Sequence, residues 1–148
     1  MVQMTTRIPE ALLDDRGRVT AYHSGSVHLV RGSIRPNLHL GTLEQARMRT
    51  GRRITRVTAI ARPCVRLLDK GENVWRDERL APVLRRGLEW IVYLNRTEGI
   101  PLDEFEAAAA KHPRFDDVSD ALFRRLLPSA RDSLILLDPY LVISCEAM

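Results

Sequence analysis

An α+β fold is expected from three observations. Short β-branched or apolar runs recur along the chain, helical stretches fall irregularly between them, and the last two runs are separated only by Asp138-Pro139. Regular βαβ alternation is missing, which argues against a doubly wound parallel sheet. With 148 residues, 45% of them hydrophobic and 28% charged, the chain suits one domain (1–148) able to bury its own core.

The strand-like runs are Thr20 to Ser24, Ile34 to His39, Ile54 to Ala61, Cys64 to Leu68, Trp90 to Asn95, Ser133 to Leu137 and Tyr140 to Ser144, each bounded by Gly, Pro, Asn or Asp. The stretch Ile54 to Ile60 shows no clean period of two, so its inward face is not legible. A first helix opens at Thr42-Leu-Glu-Gln45, a capping box in which the threonine hydroxyl and the glutamine side chain satisfy each other's backbone donors, and Gly51 ends it. A second runs from Arg76 to Arg86 and stops at Gly87. A third, Pro101 to Lys111, begins with proline and acids, continues through four alanines and meets Pro113. A fourth spans about Asp117 to Leu127, before Pro128. Gly99 to Arg131 therefore reads as a helical insertion between two strands that would otherwise form a hairpin.

Charge is distributed unevenly. Lys70 and Lys111 are the only lysines among 23 basic residues. Between Arg31 and Arg66 nine arginines (31, 35, 47, 49, 52, 53, 56, 62 and 66) face a single acid, Glu44, while the rest of the chain holds more acid than base. Such a segment suits an anionic partner: a dinucleotide pyrophosphate, an acidic protein surface or nucleic acid. A solvated basic face is the simpler alternative. The segment carries no aromatic residue on which exposed bases would stack.

No apolar run approaches a membrane span and the N-terminal residues lack a signal-peptide core, so a cytoplasmic protein without membrane attachment is expected. Cys64 and Cys145 lie among apolar neighbours and read as buried thiols. No zinc-like spacing is present, and no metal is expected. Phosphate-loop, dinucleotide-fingerprint, nucleophile-elbow and zincin patterns are also missing.

What remains is an ordered set of polar residues at strand ends: Tyr22-His-Ser-Gly-Ser26, His39-Leu-Gly-Thr-Leu-Glu-Gln-Ala46, Gly87 to Gly99 (GLEWIVYLNRTEG) and Asp132 to Pro139 (DSLILLDP). From about Thr20 to Ser144 this set resembles the ADP-ribosyltransferase superfamily, in the compact form found among bacterial and phage proteins. The resemblance implies a small split β-sheet core with peripheral helices and the helical insertion. It also implies NAD as substrate, a macromolecular acceptor, and an effector role against host or defence machinery.

Carried onto this chain, the resemblance makes His23 the ligand of a ribose hydroxyl, with Ser24 and Gly25 beside it. His39 or Tyr93 would stack on nicotinamide, Thr42 and Asn95 would lie in the NAD site, and Arg31 or Arg35 would neutralise pyrophosphate. The catalytic acid is Glu98 or Asp132, which antiparallel pairing of their strands would bring to one place. Cleavage of the nicotinamide–ribose bond develops positive charge at the sugar, which a carboxylate stabilises while serving as base toward the acceptor. Simpler roles exist for several residues: Thr42 and Gln45 as helix caps, Asn95 and Glu98 as builders of a turn at Gly99, Tyr93 and Trp90 as core, His28 and His112 as surface. The competing functions are a non-catalytic nucleic-acid or ribonucleoprotein-binding module on the same fold, and NAD hydrolysis without an acceptor.

Overall fold

A computed structural model describes residues 5–25, 27, 38–48, 53–70, 75 and 77–148. Its strands are β1 (Thr5–Thr6), β2 (Val19–Ser24), β3 (Leu38–Leu40), β4 (Ile54–Ala59), β5 (Cys64–Arg66), β6 (Trp90–Leu94), β7 (Asp132–Leu136) and β8 (Val142–Ala147). The helices are α1 (Leu43–Arg47), α2 (Asp77–Arg85), α3 (Leu102–Lys111) and α4 (Asp120–Leu126). The fold is α+β, built on two sheets.

The larger sheet has the order β1-β5-β6-β7-β3 and the smaller β2-β4-β8. Among the described strands only β5 and β6 pair in parallel. One bridge joins the two sheets: Tyr22 and Gly41 exchange backbone hydrogen bonds of 2.8 and 2.9 Å. This bridge brings the end of β2 against the end of β3.

Both faces of the larger sheet are covered, which is why β6 reads as an unbroken apolar run. Trp90 and Val92 join Leu134 and Leu136 in a cluster with Val19, Ala21, Val57 and Ala59 of the smaller sheet. Ile91, Tyr93 and Ile135 face the other way, against Leu80 and Val83 of α2. Leu94 and Ile100 pack with Ala108 of α3 and Phe123 of α4. β6 and β7 pair antiparallel from Trp90–Leu136 to Leu94–Asp132, so the helices between them are indeed an insertion in a hairpin.

The described part of the second predicted strand is limited to β3, and 34–37 lie outside the described residues, as does Gly51. In β4 burial alternates cleanly, with Thr55, Val57 and Ala59 inward. The alternation was hidden because an inward threonine looks polar in sequence; here its hydroxyl donates to the Gly25 carbonyl at 2.8 Å. The fourth helix starts later than expected, at a Ser119 cap after a short 3-10 turn at Phe115–Asp117. Pro139–Leu141 is likewise a 3-10 turn capped by Asp138, and β8 begins only at Val142. Cys64 is buried as expected, but Cys145 is exposed, because β8 is an edge strand.

Candidate active site

A cavity of about 560 Å³ opens where β2, β3 and β6 end and β7 begins. Tyr22, His23 and Ser24 line it from β2, His39 and Leu40 from β3, and Gly41, Gln45, Ala46 and Met48 from the α1 region. Tyr93, Asn95, Thr97 and Glu98 enter from β6 and the turn after it, Ser133 from β7, and Asp69 and Trp75 from the segment between β5 and α2. Three of the four ordered motifs thus converge through strand ends, and the fourth contributes Ser133.

The polar floor is a directed chain of hydrogen bonds. Gln45 Nε2 donates to the Arg131 carbonyl at 3.1 Å, which fixes the amide and leaves Oε1 to accept from Thr42 N at 3.0 Å and from Ser133 Oγ at 2.7 Å. The Ser133 oxygen accepts from Asn95 Nδ2 at 3.1 Å, and the same amide donates to Glu98 Oε1 at 3.1 Å. Asn95 Oδ1 in turn receives the backbone N–H groups of Thr97 (3.0 Å) and Glu98 (2.9 Å), an Asx-type turn closed by Gly99 at φ 80°. Gln45, Asn95 and Ser133 are only 3%, 3% and 2% exposed. Polar groups buried this deeply are tolerated because each is bonded.

The turn carrying Glu98 is held from outside as well. Arg96 N donates to Asp69 Oδ2 at 3.0 Å, and the Arg96 guanidinium donates to Asp120 and to the carbonyls of Asp116 and Val118, tying the turn to the helical insertion.

One wall is aromatic. Trp75 and Tyr93 lie 4.7 Å apart between ring centroids, and His39 meets both edge-on at 6.4 and 6.3 Å. Arg79 covers the indole at 4.4 Å, and burial lowers the pKa of that guanidinium. His23 Nδ1 lies 2.8 Å from the His39 carbonyl. A carbonyl can only accept, so Nδ1 carries a proton and donates it there, which makes Nε2 the lone-pair nitrogen whenever the ring is neutral. Ser24 Oγ is buried without a hydrogen-bond partner among the described residues.

The chain matches no family model, no curated protein and no solved structure.

Of the residues named from sequence, His23, Ser24, His39, Tyr93, Asn95 and Glu98 line one cavity. Three others do not. Asp132 makes a two-pronged contact with Arg66 at 2.8 and 2.9 Å and also binds Arg124 at 3.0 Å. Adjacent residues of a strand point to opposite faces, so Ser133 facing the cavity turns Asp132 away from it. Thr42 is engaged in the predicted capping box, its Oγ1 accepting from Gln45 N at 3.1 Å. Gly25, at φ 120°, serves as a backbone junction to Arg53 and Thr55. Arg31 and Arg35 lie outside the described residues.

Among the described residues no arginine or lysine lines the cavity. Arg56 and Arg66 of the basic segment instead pair with Glu146 and Asp132. Asp69, Trp75, Gln45 and Ser133 are the site residues that sequence reasoning passed over. Gln45 and Ser133 stood inside recognised motifs, but Asp69 and Trp75 carried no local signal. No group of three or more potential metal ligands occurs among the described residues, and no described helix is long and apolar enough to cross a membrane.

Proposed function

We propose that the cavity binds NAD and that the protein transfers ADP-ribose to a macromolecular acceptor. The observation that carries this reading is the convergence of His23, the His39–Tyr93 wall and Glu98, from three separate motifs, on a single cavity. Its volume is within the range of small-molecule sites.

In this reading Glu98 is the catalytic acid and Asp132 is not. Its carboxylate, oriented by Asn95, accepts a ribose hydroxyl and stabilises the charge that develops at the anomeric carbon. The glycosidic bond breaks with its electron pair leaving on nicotinamide. An acceptor nucleophile then bonds to that carbon, and its proton passes to Glu98. His23 Nε2 and Ser24 Oγ hold the sugar, and the rings of His39, Tyr93 and Trp75 pack the nicotinamide. An anionic acceptor fits the arginine-rich segment.

The test is incubation with labelled NAD and a cell lysate, comparing wild type with Glu98→Gln. Label on protein or nucleic acid that disappears in the variant is expected. Label unaffected by the substitution overturns the assignment of Glu98, and free ADP-ribose as the sole product replaces transfer with hydrolysis. Salt-steep nucleic-acid binding with no thermal shift by NAD replaces the enzyme with a binding module.

A further inference from the structure

We infer that Gln45 is a positioning residue for the Glu98 carboxylate, acting through Ser133 and Asn95. This rests on the reading of Glu98 as the catalytic acid. The relay has one possible polarity. Because Gln45 Nε2 is committed to the Arg131 carbonyl, Oε1 must accept; because it accepts, the single Ser133 proton points to it. The Ser133 lone pair then faces the Asn95 amide, whose second hydrogen lies on Glu98 Oε1. The Arg131 carbonyl also receives Asn95 N at 3.0 Å, so both ends of the relay share one backbone anchor.

The aliphatic part of Gln45 lies where a Cβ on Gly99 would stand 2.9 Å from its Cγ, and its amide oxygen occupies the place a Cβ on Gly41 would need. Glycines at these two positions therefore admit the glutamine. A helix cap alone needs Gln45 Oε1 and Thr42 N; it does not need burial, Ser133 or the Arg131 carbonyl. Those extra bonds run toward the carboxylate, and small errors in the placement of a reacting group are expensive in rate.

The experiment is steady-state nicotinamide release from NAD by wild type, Gln45→Met, Ser133→Ala and Ser133→Thr, with thermal unfolding of each. Asp132→Asn serves as a destabilised control outside the cavity. Gln45→Met and Ser133→Ala are expected to lower kcat by about 100-fold with KM for NAD within about twofold, and Ser133→Thr, which keeps the hydroxyl, to recover most of the rate. A folded Ser133→Ala or Gln45→Met protein with wild-type kcat overturns the inference while leaving the transferase reading intact. So does a loss in kcat no larger than that of Asp132→Asn at equal stability. A wild-type protein that neither cleaves NAD nor labels an acceptor overturns both.

Discussion

Ser133 and Gln45, 88 positions apart, are joined by a 2.7 Å hydrogen bond inside the protein, and that bond links the start of β7 to the first helix. Through it the capping box of α1 becomes part of the cavity floor. A residue whose local role is to start a helix thereby also sets the position of a turn on another strand.

Gly99→Ala is expected to destabilise the protein by roughly 1–3 kcal/mol, because the backbone sits at φ 80° and the new methyl would meet Gln45 Cγ at 2.9 Å. Activity should fall with it, since this glycine closes the turn that presents Glu98. Chemical denaturation together with nicotinamide release checks both effects. A variant with unchanged stability would show that the turn tolerates the side chain.

Asp132→Asn is expected to cost about 1 kcal/mol and leave catalysis in place. Arg66 is partly exposed, which keeps the loss small despite the two-pronged contact. Glu98→Gln should do the reverse, abolishing transfer with little change in unfolding midpoint. Parallel activity and urea-unfolding measurements on the two variants separate these outcomes.

Trp75→Ala is expected to raise KM for NAD roughly tenfold, the equivalent of about 1.4 kcal/mol of lost ring contact. The indole lines the cavity and holds Tyr93 at 4.7 Å, so its loss removes one wall and loosens another. Phenylalanine at this position should restore most of the affinity.

The two thiols should differ in reactivity. Burial pushes the Cys64 thiol up to about 11, so its thiolate is scarce at neutral pH, and its sulfur is also shielded from solvent. Cys145 is exposed on the edge strand, although partial burial raises its pKa as well. A thiol reagent at pH 8 should therefore modify Cys145 in native protein and Cys64 only after unfolding, as mass spectrometry of peptides will report.

Asp14 gives the stability an acid limb. Its Oδ1 accepts from Arg16 N and Arg18 N at 2.9 Å each, and these backbone bonds, with the Arg18 guanidinium, hold its carboxyl below the usual 3.8. A folded-state pKa below the unfolded one means the contribution is complete above the unfolded value and disappears as pH falls through the folded value. Asp14→Asn should therefore narrow the difference in stability between pH 7 and pH 3. Urea titrations at both values check this.

Much of the architecture was legible because it rests on local or strongly patterned signals. The capping box at Thr42, the apolar run of β6 and the alanine-rich α3 all require little beyond neighbouring residues. The site was legible where it lay within the ordered motifs, as at His23, Tyr93 and Glu98. Trp75 and Asp69 were not, since nothing near them in sequence marks their arrival beside β6.

The choice between Asp132 and Ser133 marks the boundary. The run from Ser133 to Leu137 is apolar on both faces, so no alternation in the sequence reveals which of two adjacent polar residues turns toward the cavity. Sequence alone determined that a strand begins here with two adjacent polar residues at its start. Register decided the rest: Tyr93 pairs with Ser133 and Leu94 with Asp132, which places the serine over the cavity and the aspartate beside Arg66. That register is a non-local outcome of packing between two sheets and two helices, and a one-residue slip would have exchanged the two roles.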